Sequence, residues 1–180
     1  MIFQNEKELE SAGAVKLIAR FIFPILFLTV LALLLSVPFR ILGRPELQIA
    51  ILLETVWFYT LYAPAWMGAG NIFIAGLCCE FFVSTPPGFI VFWMVVEGEL
   101  IRILRRRLYE SGVLFSWFLF SILFAVAALS LWGLCTLQDF SYLSLYPVLF
   151  LWLLSIGIYP LIYLFWQGIL FSFGRQKKYS

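Results

Sequence analysis

The chain of 180 residues is 63% hydrophobic and only 12% charged, and its mean hydropathy is +1.00. A soluble domain of this size needs far more polar surface, so the composition excludes an ordinary soluble protein and predicts an integral membrane protein. The formal net charge of +2 is small and comes from short clusters beside apolar runs. Such clusters favour membrane-topology signals over a nucleic-acid-binding surface, and we expect no nucleic-acid partner.

Residues suited to catalysis or metal binding are scarce in this chain. Histidine is absent, which removes the commonest general base and the commonest metal ligand. Cys78, Cys79 and Cys135 all lie inside apolar runs without CxxC spacing and are predicted to be small buried apolar residues. No nucleophile elbow, P-loop or dinucleotide-binding glycine motif occurs. We therefore expect a non-enzymatic protein with no catalytic residue, metal site or cofactor.

Six apolar stretches follow one another along the chain, and each is a candidate transmembrane helix. A turn is predicted at Ser84-Thr85-Pro86-Pro87-Gly88, because the prolines lack N–H donors and the glycine permits a tight bend. The predicted fold class is an all-α polytopic membrane helical bundle of about six transmembrane helices. Residues 1–20 and 174–180 are predicted tails, and residues 21–173 form the membrane domain. The six stretches are residues 21–37, 47–62, 66–83, 89–104, 113–137 and 145–173.

The distribution of basic residues predicts which ends of the stretches face the cytoplasm. With both chain termini cytoplasmic, ten basic residues are inside and two outside, in agreement with the positive-inside rule. If the second and third stretches made one crossing together, the termini would lie on opposite sides, and the basic clusters at both ends argue against this. The first twenty residues are mixed in charge and too acidic for the basic n-region of a signal peptide, so we also expect that no signal peptide is cleaved. The ten inside are Lys7, Lys16, Arg20, Arg102, Arg105, Arg106, Arg107, Arg175, Lys177 and Lys178, and the two outside are Arg40 and Arg44.

Four carboxylates, Glu54, Glu80, Glu97 and Glu99, lie in or near the apolar stretches. A charge at the bilayer centre costs roughly 2.5 kcal/mol or far more, so such a group is expected to be protonated, paired or protein-facing. For Glu54, the deepest, two interpretations are open: a carboxyl hydrogen-bonded to a neighbouring helix, or a proton site or partner contact. Glu97 and Glu99 lie about 200° apart on a helix and cannot form an acid–base pair. Glu99 is predicted to pair with Arg102, which leaves Glu97 without a local partner.

Aromatic and basic residues mark the predicted membrane interfaces. Trp57, Trp66, Trp117 and Trp132 lie within a turn or two of predicted span ends, where an amphipathic ring prefers the interface. Arg105-Arg106-Arg107 follows the fourth stretch, as a topology anchor or as a contact for anionic lipid head groups. The sequence favours the anchor, and membrane lipids are the expected surroundings.

A distinctive motif joins the third and fourth stretches. Gly76-Leu77 is followed by an acidic residue, Glu80, and then by Pro86 and Gly88. This order and spacing resemble the most characteristic segment of the rod shape-determining protein MreD family, in which the acidic residue is usually Asp. In physical terms, Gly76 lets a neighbouring backbone approach closely, while Pro86 and Gly88 set the angle at which the fourth stretch re-enters the membrane. Glu80 can stay hydrated there or meet a partner.

The resemblance extends on both sides of this motif and covers about residues 45–172. Trp57, Tyr62 and Pro64 look like the family's aromatic-rich second span with its short x-Pro turn. Tyr159-Pro160 is similar to the Tyr-Pro of the family's last span. The longer side chain at Glu80, where the family has Asp, changes the reach of the charge, so contacts made by that residue in the family do not transfer directly.

This resemblance implies a fold similar to the substrate-binding subunit of energy-coupling-factor transporters. It also implies a place in the bacterial inner (cytoplasmic) membrane, within the cell-elongation machinery. The expected direct partner is membrane-anchored MreC, and the indirect partners are the MreB filament and the peptidoglycan synthases. The expected role is to scaffold or regulate lateral peptidoglycan synthesis and so maintain rod shape.

Two other functions remain open. The first is a small-molecule-binding membrane subunit of a transporter, but such subunits present regularly spaced small residues on the first span, and in residues 21–37 only Ala32 is small and apolar. The second is a proton-coupled carrier that uses Glu54 and Glu97. The short chain and the absence of an evident internal repeat count against it.

Overall fold

A computed structural model of the chain describes the backbone of residues 2–36, 45–139 and 145–176, and the side chains of residues 18, 20–36, 47–137 and 145–168. Throughout these ranges the structure is helical and contains no strand, which confirms the all-α prediction. Residues 2–20, predicted as a tail, form the first part of α1. The helices are α1 (Ile2–Ser36), α2 (Pro45–Tyr62), α3 (Ala69–Glu80), α4 (Phe89–Asp139) and α5 (Tyr146–Gln176).

The long helix α4 is folded back on itself at Gly112. This glycine has φ 82° and ψ 177°, a conformation that only glycine adopts at little cost. The indole Nε1 of Trp93 donates to Ser130 Oγ at 2.9 Å, although the two residues are 37 apart in sequence. A continuous helix would separate them by about 55 Å. Helix α4 is therefore two antiparallel halves, 89–111 and 113–139. The fourth stretch, expected to end before Arg105, thus continues as helix to the turn.

With α4 counted as two halves, six helical segments alternate in direction between two ends of a bundle. Helices α2, α5 and the first half of α4 run one way. Helices α1, α3 and the second half of α4 run the other way. The contacts that fix these directions are Ser155–Glu54 and Tyr62–Tyr163 between α5 and α2, Arg105–Leu61 between α4 and α2, Asn71–Arg20 and Cys79–Leu28 between α3 and α1, and Ser116–Tyr159 and Trp152–Ser121 between α4 and α5.

Every basic side chain that the structure describes lies at one end of this bundle, here called the arginine end. It holds the turn at Gly112 and the last residue of α2, Tyr62. The opposite end, here called the Pro86 end, holds the connection between α3 and α4 and the last residue of α1, Ser36. The described basic side chains are Arg20, Arg102, Arg105, Arg106 and Arg107. The side chains of Lys7, Lys16, Arg40, Arg44, Arg175, Lys177 and Lys178, which also entered the charge count, lie outside the described residues.

The lengths of the helices decide which of them can cross a bilayer alone. Within the described residues, Phe89–Leu137 and Tyr146–Gly168 are long and apolar enough to do so, and the former is the folded-back α4. Arg20–Ser36 and Leu47–Tyr62 are apolar but shorter. Helix α3 is shorter than the predicted third stretch, 66–83, because turns precede and follow it. Its 12 residues rise about 18 Å, against a hydrocarbon core of about 30 Å.

Helix α2 is the centre of the bundle. It packs against α1, α4 and α5, and nearly all of its side chains from residue 48 to residue 61 are buried. The outward faces of the surrounding helices are apolar, as Ile103 (80% exposed), Leu153 (62%) and Leu161 (67%) illustrate. The central helix thus carries the polar groups and the surface carries large hydrophobic side chains, the reverse of a soluble bundle.

Candidate functional site

Six buried polar side chains lie inside the bundle, on α2, both halves of α4 and α5. The structure buries all of them, with exposed fractions between 0 and 5%. We call this group the polar core. Its members are Glu54, Trp57, Glu97, Ser116, Ser155 and Tyr159.

Glu54 and Glu97 are the two carboxyl groups of the polar core. Glu54 is 1% exposed, and its Oε1 accepts a hydrogen bond from Ser155 Oγ at 3.3 Å. This contact agrees with the first interpretation of Glu54, a hydrogen bond with a neighbouring helix, and in it Glu54 is the acceptor; the alternative of a proton site or partner contact stays a prediction. The other oxygen of Glu54, Oε2, is buried without a hydrogen-bond partner, and so is Oε1 of Glu97, a residue that is 2% exposed.

The two carboxyl groups lie at the same level of the bundle. The Arg105–Leu61 contact shows that residues 44 apart in sequence face each other on the parallel α4 and α2. Glu54 and Glu97 are 43 residues apart and therefore have nearly the same height. Among the described side chains, every arginine lies at the arginine end, so neither carboxylate has a cation beside it. Each carboxyl group can be held protonated or can accept a donor from outside the chain.

A second group of hydrogen bonds in the polar core joins Trp57, Ser116 and Tyr159. Trp57 Nε1 donates to Ser116 Oγ at 2.9 Å, and that hydroxyl is 3.1 Å from Tyr159 Oη. Trp57 is 1% exposed and therefore faces the interior of the bundle, while its predicted depth at a membrane interface stays a prediction. An indole can be buried because its N–H finds an acceptor on another helix. Sequence reasoning missed Ser116 and Ser155, whose only signal is a hydroxyl inside an apolar stretch.

The motif between the third and fourth stretches forms a close contact between α3 and α4. A Cβ added at Gly76 would lie 3.1 Å from Val91 Cα, so the expected approach of a neighbouring backbone to Gly76 is confirmed. The turn is confirmed as well: the N–H of Phe89 donates to Pro86 O at 3.1 Å, and Gly88 has φ 87°. A side chain at position 88 would therefore be strained.

Glu80 is the last residue of α3 and lies near this turn. It is half-buried, and its Oε1 is buried without a hydrogen-bond partner. Beside it, the hydroxyl of Ser36 donates to the carbonyl of Phe82, and Gln48 Nε2 donates to Ser36 Oγ at 3.1 Å. These bonds tie the ends of α1, α2 and α3 together at the Pro86 end. Neither Ser36 nor Gln48 was predicted as a site residue, because their contact depends on the relative rotation of separate helices.

Tyr62 and Pro64 lie at the opposite end of the bundle. Tyr62 ends α2, and its hydroxyl is 3.4 Å from that of Tyr163 on α5. Pro64 lies in the turn that follows, in which the N–H of Trp66 donates to Ala63 O at 3.0 Å. The predicted site residues thus fall into three places. Glu54 and Glu97 meet in the polar core, the residues from Gly76 to Gly88 form the α3–α4 contact, and Tyr62 and Pro64 lie at the arginine end.

Two arginines bind backbone carbonyls between helices at the arginine end. Arg102 Nη2 donates to Met67 O at 2.9 Å, and Arg105 Nε donates to Leu61 O at 3.2 Å. The predicted Arg102–Glu99 ion pair is also present. The Leu61 carbonyl belongs to the last turn of α2, where a cation is stabilising. No cluster of three or more metal-ligating His, Cys, Asp or Glu side chains occurs among the described residues.

Comparison of the chain with protein-family models, with curated proteins and with solved structures gave no match.

Proposed function

We propose that this chain is a six-span bacterial inner-membrane protein of the MreD kind, which scaffolds or regulates lateral peptidoglycan synthesis without enzymatic activity of its own. Its direct partner would be MreC, and its indirect partners MreB and the peptidoglycan synthases. The observation that carries the proposal is the contact between α3 and α4. There both glycines of the motif have a physical role, Gly76 in close packing and Gly88 in a left-handed turn.

The alternation of the six helical segments supports six crossings with both termini in the cytoplasm. Each segment begins at one end of the bundle and finishes at the other, and the described arginines gather at one end, as the positive-inside rule requires of a cytoplasmic face. Helix α3 is the shortest segment. The turn residues on both of its sides, together with local thinning of the bilayer, would complete its path across the membrane.

The outer face of α3 is the surface best suited to a partner helix. It exposes small and apolar side chains at helical spacing, beginning with Gly70 and ending with Phe81, which is 88% exposed. A small residue allows close approach of a second helix, and association inside lipid depends on such packing. The exposed residues of this face are Gly70, Phe73, Ile74, Leu77 and Phe81.

Depletion of the protein in its host, followed by microscopy and by purification of the membrane complex, tests this function. Depletion should round the cells, and MreC should co-purify with the wild-type protein. The double variant Leu77→Ala/Phe81→Ala should lose most of the MreC. The matched variant Leu161→Ala/Leu164→Ala, on the exposed face of α5, should retain it.

Three results would contradict the proposal. The first is normal rod shape after clean deletion of the gene. The second is equal recovery of MreC with the α3 and α5 double variants. The third is a vitamin-like ligand retained by the purified protein, which would favour the binding subunit of a transporter.

A further inference from the structure

One face of α4 forms an open cavity at the arginine end. The cavity has a volume of about 440 Å³. Its polar lining residues recur every three or four positions and therefore share one side of the helix. The cavity is positive, because its three arginines outnumber Glu110 in the lining and Glu99, which pairs with Arg102 from outside it. The lining residues are Arg102, Ile103, Arg105, Arg106, Tyr109 and Glu110.

Two of these guanidinium groups are held in place before any ligand binds. Arg102 is tied to Met67 O and to Glu99, and Arg105 is tied to Leu61 O. A guanidinium carries five N–H donors, so each group retains donors for an anion. Because these side chains are already ordered, less conformational entropy is lost when they bind.

The third arginine can move. Arg106 Nε is 3.2 Å from Glu110 Oε1, but the two side chains are 90% and 66% exposed. An exposed pair of this kind contributes little stability. Arg106 can therefore leave Glu110 at small cost and donate bidentate hydrogen bonds to a bound phosphate.

The cavity also has an apolar part. Ile103 is 80% exposed and Tyr109 is 69% exposed, and both contribute to the lining. An exposed isoleucine nearly two turns before an exposed tyrosine suits a membrane interface, where hydrocarbon gives way to head groups. A ligand that satisfies both parts carries an anionic group and an apolar tail.

We infer that this cavity binds the phosphate of an anionic phospholipid. The three arginines hold the phosphate, and the acyl chains lie along Ile103 toward the membrane centre. The inference rests on the part of the proposed function that places the arginine end at the membrane surface. It does not depend on MreC or on cell shape, so either proposal can fail without the other.

Replacement of arginine by lysine has different effects on a topology anchor and on a phosphate site. Lysine keeps the positive charge that orients the chain but lacks the planar fork that binds phosphate in a bidentate manner. The informative variant is therefore Arg106→Lys, whose exposed side chain leaves the fold intact. A stronger version of the same test is the triple variant Arg102→Lys/Arg105→Lys/Arg106→Lys. Arg107→Lys is the matched control, since Arg107 does not line the cavity.

Native mass spectrometry of the purified full chain in detergent tests the inference, with phosphatidylglycerol, phosphatidylcholine or inorganic phosphate added separately. Phosphatidylglycerol should bind at one site at least ten-fold more tightly than phosphatidylcholine. Arg106→Lys should weaken its binding about five-fold or more, and Arg107→Lys should leave it unchanged.

Equal binding of the two lipids would overturn the inference, and so would an equal loss with Arg106→Lys and Arg107→Lys. Binding of inorganic phosphate as tight as that of phosphatidylglycerol would identify free phosphate as the ligand and overturn the lipid assignment. Circular dichroism shows whether each variant is folded. If the triple variant is not, Arg106→Lys alone decides the result.

Discussion

Helices α2 and α5 are both apolar, yet they occupy opposite environments. Helix α2 is enclosed by the other helices and buries Gln48, Glu54, Thr55 and Thr60. Helix α5 exposes leucine and phenylalanine side chains along its outer face. In water we would expect the reverse, with α5 buried and the polar groups of α2 exposed. The observed arrangement is the one expected of a bundle surrounded by lipid, in which polar groups are kept for contacts between helices.

Tryptophan side chains make many of the contacts between helices. Inside lipid there is little hydrophobic force between helices, so packing and hydrogen bonds have to hold them together. Four indole N–H groups each donate to a residue on a different helical segment, at distances of 2.9 to 3.2 Å. The pairs are Trp57–Ser116, Trp93–Ser130, Trp117–Ile156 and Trp152–Ser121.

The largest expected effect comes from emptying the centre of the bundle. Trp57→Ala removes a buried ring that packs edge-on against Phe120, 5.4 Å between centroids, and also removes the bond to Ser116. We expect a loss of about 3–5 kcal/mol in the free energy of unfolding, measured by denaturant titration in detergent micelles. Trp66→Ala, at a side chain 41% exposed, should cost about 1 kcal/mol or less. Equal losses would remove the distinction between centre and surface.

A charge on the outer face tests the nature of the solvent. Leu153 is 62% exposed and lies two residues before Ser155, at the level of Glu54. Leu153→Arg should oppose membrane insertion by about 2.5–3.5 kcal/mol, measured as the inserted fraction in a translocon assay. Leu145→Arg, 50% exposed at the Pro86 end, should insert almost normally. If Leu153→Arg were equally harmless, water would have to reach that face.

The close contact between α3 and α4 predicts a smaller effect. Gly76→Val places atoms against the backbone of Val91 and should cost roughly 1–3 kcal/mol, because the two helices must separate. Gly157→Val enters open space and should change stability by less than about 0.5 kcal/mol. Thermal unfolding in detergent distinguishes the two. Similar melting temperatures for both variants would show that Gly76 is not a close-packing position.

The two buried carboxyl groups predict the smallest effect, a coupling between substitutions. Glu54→Gln and Glu97→Gln keep side-chain volume but change the interaction between the two groups. Their double-mutant cycle should show about 0.5 kcal/mol or more of interaction energy. The cycle of Glu54→Gln with Glu99→Gln should be additive, because Glu99 pairs with Arg102 at the surface. Additivity in both cycles would show that Glu54 and Glu97 act independently. Unchanged growth and cell shape with Glu54→Gln would show that the Glu54 carboxyl group is not needed for the function of the protein.

The sequence predicts the helical segments well because their signals are local. Apolar length and the proline-rich turn place the segment ends within a few residues, apart from the start of α1, the shorter α3 and the helical extension past Arg105. Ion pairing of Glu99 with Arg102 is also local, three positions along one helix. The polar core was not predictable in this way. Glu54 meets Ser155 across 101 residues, and that contact depends on how each helix is rotated about its axis.

Thiol labelling from each side of the membrane tests the central claim, that the six segments cross the bilayer in alternation. Single cysteines are introduced as Ser84→Cys at the Pro86 end and Glu110→Cys at the arginine end, after replacement of Cys78, Cys79 and Cys135. In spheroplasts, an impermeant reagent should label Ser84→Cys directly and Glu110→Cys only after permeabilisation. Labelling of both positions from the same side, or of Glu110→Cys in intact spheroplasts, would contradict the proposed topology.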